Sequence, residues 1–314
     1  MWHGKKPIDR CNKQKNEGLL LGILVTVGIC ARNSEQFIAE AVESVLSQDF
    51  PHELVEIIFV DDGSEDRTLE IINSCISKTD ITTRIFSGPW RGLGKARNTV
   101  INHAKGEFIV WVDSDEVIER QFLRKQINII NSNPQAGIAT ARVWFNRTEN
   151  LILILDLIPP IVEYSIQDWR KKLPGTGGTT FRVAAMKQVG GFNENINGAG
   201  EDIDLCKRIR QAGWTIIGGN GFYYEKHGQL STFKHLMIKY IYHGCQARLL
   251  ESQVGPIISI YKINPLASLI IGIFYGAFGY KVTKLKISLI TPIHYTLKMT
   301  AWFYGFSFAK RDPA

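Results

Sequence analysis

The chain has 314 residues, of which 45% are hydrophobic and 21% are charged, which fits one large globular domain or one domain with an appendage. The formal net charge of +7 suits nucleic acid, an anionic membrane surface or phosphorylated substrates, and the sign alone does not choose among them. The five cysteines are scattered and include no C-x-x-C pair, which argues against a zinc site or a disulfide framework and favours a reducing, cytosolic compartment.

An apolar run near the N-terminus has two interpretations. Residues 1–17 are polar and rich in Lys and Asn, so we expect a flexible N-terminal arm there. The next stretch, "GLLLGILVTVGIC" at 18–30, has the apolar character of a signal peptide. Polar residues follow it instead of a small-residue cleavage site, so its second half predicts a buried first strand.

Strands and helices then alternate along the chain. The predicted strands are 21–29, 54–60, 82–86, 108–112 and 137–145, and the predicted helices include 33–48, capped by Asn33 or Ser34, and 94–106. This alternation predicts an α/β fold with a parallel sheet and helices on both of its faces. Ligands of such sheets bind beyond the carboxyl ends of the strands, so the residues that follow each strand are candidate site residues.

Two acidic turns follow predicted strands. The stretch 61–64, Asp-Asp-Gly-Ser, ends the second strand, and the stretch 113–116, Asp-Ser-Asp-Glu, ends the fourth. Both turns are therefore expected to border one crevice at the same edge of the sheet. The first turn is by itself a weak signal, since its residues are also common in ordinary turns.

The second turn has the composition of a metal site. On an extended strand end, the side chains of Asp113 and Asp115 point the same way, and two carboxylates there provide hard oxygen ligands for Mg²⁺ or Mn²⁺. Water and substrate phosphate oxygens would complete such a site. An EF-hand is not expected, because the loop lacks its central Gly and later ligands. The alternative is a helix N-terminus, where acidic residues such as Glu116 and Glu119 are favourable.

A third acidic stretch, "GAGEDIDLCKRIRQAGW" at 198–214, predicts a helix that ends at Gly213. Glu201 and Asp202 fall in its first turn, where the helix dipole favours an ionised carboxylate. An ionised carboxylate beside a glycine loop can serve as a general base. Helix capping explains the same residues equally well, so both interpretations stay open.

The three motifs together resemble a known family. In the order "VDDGSED", "VDSD" and "GEDIDLCKRIRQAGW", the chain resembles a family 2 glycosyltransferase over residues 22–230. Two further stretches support the resemblance, "RGLGKARNTVINHAKGEFIVWVDSD" and "GGTTFRVAAMKQVGGFNE". The resemblance implies a GT-A fold, which is a Rossmann-like, mostly parallel sheet flanked by helices, here over residues 18–230. It also implies an inverting transfer of a sugar from a nucleotide-diphosphate sugar, most commonly a UDP-sugar.

The resemblance assigns roles to individual residues. The implied nucleotide-binding residues are Ala31, Asn33 and Glu35 after strand one, Asp61 or Asp62 at the base, and Asp113 at the ribose or metal. Asp115 would hold Mg²⁺ or Mn²⁺ on the diphosphate, and His227 resembles a family position near the diphosphate or metal. Arg91, Lys95 and Arg97 are candidates for contacts to phosphates, and a solvated surface position is the alternative for each. Asp202 would be the general base that deprotonates an acceptor hydroxyl.

The chain also departs from the family pattern. There is no Q-x-x-R-W motif, so a processive synthase of the cellulose or hyaluronan type is not expected. The first strand ends in "GICARNSE" at 28–35, where the family more often has Pro-Thr-Tyr-Asn-Glu.

The sequence changes character after residue 230, and we expect residues 231–314 to form a helical, membrane-associated region. The stretch 264–280 has no charged residue, and 287–309 is apolar with one Lys and one His. Three lysines lie between them, and they would face away from the catalytic domain if both helices crossed the bilayer, against the positive-inside tendency. We therefore favour a hairpin lying in the cytoplasmic leaflet. Two true spans and a buried dimer interface remain alternatives.

These observations predict a metal-dependent glycosyltransferase on the cytoplasmic face of the cell membrane. The predicted partners are a nucleotide-sugar donor, the membrane surface, and an acceptor that is a lipid-linked saccharide, a polyprenyl phosphate or a surface glycan. Nucleic acid is not expected, because it explains neither the acidic crevice nor the apolar tail. A nucleotidyltransferase on a similar sheet and a non-catalytic nucleotide- or glycan-binding module remain alternatives.

Overall fold

A computed structural model describes residues 22–144, 150–166, 173–196, 200–225, 232–254 and 264–308. The expected N-terminal arm, residues 1–17, lies outside these described residues, and so does His227.

The described residues form one mixed eight-stranded sheet. Its strands are β1 (Val25–Ala31), β2 (Val55–Asp62), β3 (Thr82–Gly88), β4 (Phe108–Trp111), β5 (Glu116–Ile118), β6 (Ala136–Trp144), β7 (Thr180–Arg182) and β8 (Thr215–Glu225). They lie in the order β3-β2-β1-β4-β7-β6-β8-β5. The pairs β3-β2, β2-β1, β1-β4 and β6-β8 are parallel, and the three pairs that involve β7 or β5 are antiparallel. The predicted strands are all present within a few residues, whereas β5, β7 and β8 were not predicted.

Helices cover both faces of the sheet, as the alternation predicts. They are α1 (Ile38–Leu46), α2 (Thr68–Ile76), α3 (Leu93–His103), α4 (Phe122–Asn131), α5 (Leu151–Ile166), α6 (Val183–Gln188), α7 (Glu201–Gln211), α8 (Phe233–Val254), α9 (Pro265–Thr283) and α10 (Thr291–Phe308), with 3₁₀ turns at His52–Leu54 and Lys286–Ile290. Residues of α1, α2 and α4 pack in the core on one face, and residues of α3, α6 and α7 pack in the core on the other. Burial of these two apolar faces is the main stabilising contribution to the sheet.

The start of α1 differs from its prediction. The helix begins at Ile38, and no side chain caps it. Asn33 has a left-handed backbone with a φ angle of 49°, and the main-chain oxygen of Ser34 accepts the N–H groups of Phe37 and Ile38. The predicted side-chain cap is therefore wrong, because the polar side chains before α1 bond to a neighbouring loop instead.

The C-terminal helices pack on one another and on α5. Ile158 and Val162 of α5 share a buried apolar cluster with Tyr275 of α9 and Tyr295 of α10. Among the described helices, one segment, Leu266–Thr283, is long and apolar enough to cross a membrane. Large apolar side chains on α9 and α10 are exposed, including Leu266, Ile270, Ile273, Ile293, Tyr304 and Phe308. This part of the molecule thus has an apolar face that the described residues leave exposed.

Candidate active site

The carboxyl ends of three parallel strands meet at one edge of the sheet. Ala31 at the end of β1 pairs with Asp61 at the end of β2, and Gly28 of β1 pairs with Trp111 at the end of β4. Gly28 has no room for a side chain, since a Cβ there would lie 2.7 Å from the Trp111 ring. The two acidic turns therefore border the same edge, as the sequence predicts.

The loop after β1 is tied to the turn after β2. The amide oxygen of Asn33 accepts the N–H of Glu65 at 2.9 Å, and the carboxylate of Glu35 accepts the N–H of Arg67 at 3.2 Å. The Ser64 hydroxyl accepts the N–H of Asn33 at 3.0 Å. These bonds account for the polar side chains of a segment that was expected to cap α1, and they form one rim of the crevice.

The two aspartates of the first turn have different partners. Both carboxylate oxygens of Asp62 accept backbone N–H groups, from Arg91 at 2.8 Å and Gly92 at 2.9 Å, so this side chain holds the loop before α3. Asp61 accepts the hydroxyl of Ser64. Gly63, which follows Asp62, has a φ angle of 77°. A Cβ there would lie 2.5 Å from the backbone nitrogen of Trp90, so the turn requires glycine.

Arg97 links the second and third acidic motifs. It lies on α3 and is 3% exposed. One guanidinium nitrogen lies 3.1 Å from an Asp113 oxygen, and another bonds to the carboxylate of Glu201. Burial lowers the pKa of Arg97, but the carboxylates of Asp113 and Glu201 raise it by more, so the guanidinium stays charged. The side chain expected to reach a phosphate is thus held between two carboxylates.

The stretch 113–119 does not begin a helix, which removes that interpretation of its acidic residues. Residues 116–118 form β5, and α4 begins only at Phe122. Glu116 is 2% exposed, and its carboxylate accepts the N–H groups of Asp113 at 3.0 Å and Gly178 at 3.1 Å. Glu116 therefore shapes the turn that carries Asp113 and has no role in a helix cap.

β8 brings a further carboxylate to this turn. Glu225 at the end of β8 pairs across the antiparallel ladder with Glu116. Burial raises the pKa of Asp113 despite the opposing effect of Arg97, and burial with the neighbouring acids raises the pKa of Glu116 well above its usual range. So many acids in a small buried volume repel one another, and a bound cation would relieve that repulsion.

The carboxylate oxygens at this turn are of the chemical type that Mg²⁺ and Mn²⁺ prefer. Asp113 and Asp115 offer carboxylate oxygens, which are the ligands these ions prefer. Within the described ranges, no group of three or more His, Cys, Asp or Glu side chains forms a ready metal site. A site with these two protein ligands would leave most positions to water and substrate oxygens. The predicted metal set of Asp113, Asp115 and His227 stays a prediction, since His227 lies outside the described residues.

The third motif lies at the start of α7. Gly200 precedes the helix with a φ angle of 114°, and Glu201 and Asp202 occupy its first turn as predicted. Glu201 is 3% exposed, and burial raises its pKa to about 7, while Arg97 opposes the rise and Asp202 adds to it. Asp202 is less buried, and its second carboxylate oxygen would lie 3.2 Å from a Cβ at Gly175.

Two cavities meet at Asp202. The smaller, of about 320 Å³, is here called the acidic cavity, and its lining includes Asp113, Glu116, Asp202 and Glu225. The larger, of about 630 Å³, is here called the helical cavity, and its lining includes Trp90, Arg91, Lys95, Asp202, Tyr242, His243 and Trp302. Asp202 therefore lines both a volume with an excess of acids and a volume that combines two cations and aromatic rings with the acids Glu194 and Glu201.

Sequence reasoning missed three parts of this site. Glu225 and the α8 and α10 wall of the helical cavity gave no local signal, because long-range pairing brings them there. The third part, the loop at 175–178, had a signal in its "GTGG" composition. A Cβ at Gly177 would lie 2.1 Å from the Glu116 carboxylate, so this loop can approach the acidic turn only without side chains.

Comparisons with known proteins identify the family and the fold of this chain. The family profile described as Glycosyl transferase family 2 matches residues 26–188, just over half of the chain. The poly(ribitol-phosphate) beta-N-acetylglucosaminyltransferase TarS of Staphylococcus aureus is 36% identical over 101 residues, 32% of this chain and 18% of that protein. The chondroitin synthase of Escherichia coli is 28% identical over 249 residues, 78% of this chain and 35% of that protein. The chain spans well under half the length of these curated relatives.

Solved structures match nearly the whole chain. The mannosyltransferase PcManGT from Pyrobaculum calidifontis, solved with GDP-Man and Mn²⁺, has a TM-score of 0.65 at 16% identity and covers 91% of this chain and 88% of that one. TarS 1–349 with UDP-GlcNAc has a TM-score of 0.52 at 16% identity and covers 91% of each chain. These likenesses confirm the predicted GT-A fold, and the family match leads to one conclusion. The chain belongs to glycosyltransferase family 2.

Proposed function

We propose that this chain is an inverting, metal-dependent glycosyltransferase that moves a sugar from a nucleotide-diphosphate sugar to an acceptor hydroxyl. The position of Asp202 between two chemically different cavities carries the proposal. The acidic cavity suits the diphosphate and its cation, and the helical cavity suits the acceptor. A base between them can reach the hydroxyl whose oxygen attacks the donor sugar.

In the proposed reaction, the acceptor oxygen attacks the anomeric carbon as the bond from that carbon to the diphosphate oxygen breaks. The Asp202 carboxylate takes the hydroxyl proton, and the nucleoside diphosphate leaves with the electron pair of the broken bond. Attack opposite the leaving group inverts the anomeric centre. Mg²⁺ or Mn²⁺ held by Asp113 and Asp115 would neutralise charge on the diphosphate.

The donor is proposed to be a UDP-sugar. TarS binds UDP-GlcNAc in its complex, and PcManGT binds GDP-Man with Mn²⁺, so both uridine and guanosine donors occur among structures of this fold. Asp61 is the better candidate for the base, since both oxygens of Asp62 already accept backbone N–H groups. Ala31, Asn33 and Glu35 would line the base pocket from the β1 side.

Arg97 is proposed as a positioning residue, because its guanidinium is occupied by Asp113 and Glu201. It would align the metal-binding turn with the helix that carries Asp202, without touching a phosphate. His227 is kept as a proposed metal or diphosphate ligand on the resemblance alone.

The C-terminal region is proposed to hold the enzyme at the cytoplasmic face of a membrane. The exposed apolar residues of α9 and α10 suit a lipid leaflet, and Lys281, Lys284 and Lys286 between them suit anionic headgroups. The proposal includes a boundary near residue 230 between the catalytic domain, residues 18–230, and the membrane-associated region, residues 231–314. The acceptor would then be a lipid-linked saccharide or a surface glycan, consistent with the polymer-forming names of the relatives.

The test is release of nucleoside diphosphate from a panel of UDP- and GDP-sugars, with Mn²⁺ or Mg²⁺, with and without membrane lipid extract. We expect release with one donor, stimulated by extract and abolished in Asp115→Ala. Asp80→Ala is the matched control, because Asp80 is exposed and precedes β3 at the opposite edge of the sheet. Absence of release across the panel, together with no metal-dependent nucleotide binding by calorimetry, would overturn the proposed function.

A further inference from the structure

We infer that the acceptor carries a phosphate ester next to its reacting hydroxyl, and that Arg91 and Lys95 bind this phosphate in the helical cavity. The inference rests on the proposed function, because it takes Asp202 as the base, and it adds the chemical class of the acceptor. Its evidence is the charge, the aromatic wall and the position of that cavity.

The two cations of the helical cavity, Arg91 and Lys95, have no ion-pair partner among the described residues. The side chains of Arg91 and Lys95 are exposed, and neither makes an ion pair or side-chain hydrogen bond within the described ranges. Of the acids that line this cavity, Glu201 pairs with Arg97. Glu194 accepts a hydrogen bond from the neutral Asn98 amide at 2.9 Å and keeps its charge, and Asp202 is the proposed base. Two unpaired cations lining one side of a cavity suit a phosphate, which accepts charge-assisted hydrogen bonds from both.

The position of Arg91 is fixed by the backbone. Its N–H, and that of Gly92, donate to the Asp62 carboxylate, and Lys95 follows one turn later in α3. Both cationic side chains therefore start from a rigid segment beside the cavity. A site on such a segment loses little conformational entropy when a ligand binds.

Aromatic residues of the C-terminal helices also line the cavity. Tyr242 on α8 is 51% exposed, and Trp302 on α10 is 5% exposed. Flat aromatic rings with a polar edge suit the faces of sugar rings and the stems of apolar chains. Substrate phosphate on one wall and sugar or hydrocarbon on the other would leave the hydroxyl facing Asp202.

Exposed apolar side chains lie near the aromatic residues of this cavity along α8 and α10. Ile238 lies one turn before Tyr242 on α8 and is 54% exposed, and Leu297 lies on α10 before Trp302 and is 42% exposed. An acceptor with a hydrocarbon chain can therefore approach the cavity along this surface. A soluble phosphodiester polymer would bring the same phosphate group to the cavity from solution. A lipid-linked acceptor and such a polymer therefore share one ligand chemistry.

The main competing role for these cations is in donor binding. The donor diphosphate already has a proposed site at Asp113 and Asp115 through the divalent cation. Arg91 and Lys95 line the cavity on the other side of Asp202, and neither lines the acidic cavity. The acceptor assignment is therefore preferred, and the experiment tests it directly.

The test uses two matched pairs of probes in the full-length protein. The lipid pair is N-acetylglucosamine linked to undecane through a diphosphate, and undecyl N-acetylglucosaminide without phosphate. The soluble pair is ribitol 5-phosphate and ribitol. Calorimetry measures the affinity for each probe in wild type, in R91Q/K95Q, in the charge-retaining R91K/K95R, and in K78Q/R120Q, whose exposed cations lie outside both cavities.

We expect wild type to bind one phosphorylated probe at least tenfold more tightly than its neutral partner. R91Q/K95Q should lose that preference, R91K/K95R should keep most of it, and K78Q/R120Q should keep all of it. The pair that shows the preference identifies a lipid or a polymer source. An equal affinity for phosphorylated and neutral probes in wild type would overturn the inference, and so would a preference that survives in R91Q/K95Q.

A separate readout distinguishes failure of this inference from failure of the proposed function. UDP affinity with Mn²⁺ is measured in the same proteins. If R91Q/K95Q loses UDP affinity at least tenfold, the cations serve the donor and the acceptor assignment is wrong. The proposed function fails on different evidence, which is the absence of nucleoside diphosphate release by wild type from every donor.

Discussion

One buried ion cluster lies at the sheet edge of the α/β part and another lies where α5 packs on the C-terminal helices, and the two clusters have opposite charge balance. At the sheet edge, the single guanidinium of Arg97 faces the carboxylates of Asp113 and Glu201, with further acids close by. In the helices, the carboxylate of Asp156 on α5 lies 2.9 Å from the Lys298 ammonium on α10. Lys239 adds a second cation to this cluster at 3.6 Å.

The difference in charge balance between the clusters indicates that the Arg97 cluster is a binding site and the Asp156 cluster is a structural contact. Asp156 also accepts the Tyr240 hydroxyl at 2.6 Å, so its charge is satisfied by the chain. Its second cation, Lys239, keeps 28% of its side chain exposed to water, so the buried part of this cluster is one ion pair. The cluster around Arg97 has more carboxylates than cations, and a buried excess of one sign is costly unless a ligand of the other sign binds. We therefore expect the helical cluster to determine stability and the sheet-edge cluster to determine activity.

The largest expected effect is on turnover, in Asp202→Asn. The amide keeps the size of the side chain but cannot accept the acceptor proton, so kcat should fall by roughly 10²–10⁴-fold, or about 3–5 kcal/mol of barrier. Metal-dependent donor binding should persist, which calorimetry checks beside steady-state kinetics. Asp204→Asn is the control on the same helix, since Asp204 pairs with Arg208 and lines neither cavity.

An Asp202→Asn enzyme with wild-type kcat would contradict a hydroxyl acceptor. It would favour a polyprenyl phosphate, which is already an anion and needs no base. The same measurement thus distinguishes the two acceptor chemistries that the sequence left open.

The second effect is on stability, in Asp156→Asn. This change leaves Lys298 buried at 4% exposure without its partner, and we expect the free energy of unfolding to fall by about 3–5 kcal/mol. Denaturant unfolding in detergent measures it. The double variant D156L/K298M should recover most of the loss, because an apolar pair can replace a buried ion pair. The assigned pairing would be contradicted if the losses of unfolding free energy in D156L and K298M were additive and D156L/K298M showed no recovery.

The same cluster predicts a pH dependence. Burial favours the protonated form of Asp156, but Lys298, Lys239 and the Tyr240 hydroxyl outweigh it and lower the pKa of this carboxyl below its usual value. A lowered pKa in the folded state stabilises the fold above the unfolded value of about 3.8. Wild type should therefore lose stability as the pH falls below about 4, and Asp156→Asn should lose less of it there.

Arg97→Met should distinguish the two clusters most directly. The change leaves Asp113 and Glu201 without their cation, and we expect a loss of about 2–3 kcal/mol, less than for Asp156, because these carboxylates can take up protons. Mn²⁺ should restore part of the lost thermal stability of Arg97→Met and none of that of Asp156→Asn. Thermal melts with and without Mn²⁺ measure this, and an equal response of both variants would remove the distinction drawn between the clusters.

Local patterns in the sequence identified five of the eight strands, the acidic motifs and their common edge, because each of these depends on residues close together along the chain. The roles of Glu116 and Arg97 were not predictable in that way. Glu116 was interpreted as a helix-cap residue, but pairing with Glu225, more than one hundred residues later, makes 116–118 a strand. Arg97 was expected at a phosphate, and only the fold shows that Glu201 and Asp113 surround it.

Helix–helix contacts were the least predictable part, since an apolar run does not indicate its neighbours. Gly244 of α8 and Gly305 of α10 illustrate this. Each lies against the backbone of the other helix, where a Cβ would come within 2.0 Å of the Trp302 and Ile241 carbonyl oxygens, respectively. Nothing in the sequence near either glycine indicates this crossing, yet it positions the aromatic wall of the helical cavity.

The smallest effect is expected from Gly244→Ala, which tests whether the helix crossing supports the cavity. Separating α8 from α10 to admit a methyl group should lower the free energy of unfolding by about 1–3 kcal/mol. It should also weaken acceptor binding more than donor binding, because Tyr242 and Trp302 line the cavity from these two helices. Gly88→Ala is the control, since a Cβ there would meet no atom within 4 Å. If the two alanine variants had the same unfolding free energy and the same acceptor affinity, the C-terminal helices would hold the protein at the membrane without shaping its acceptor site.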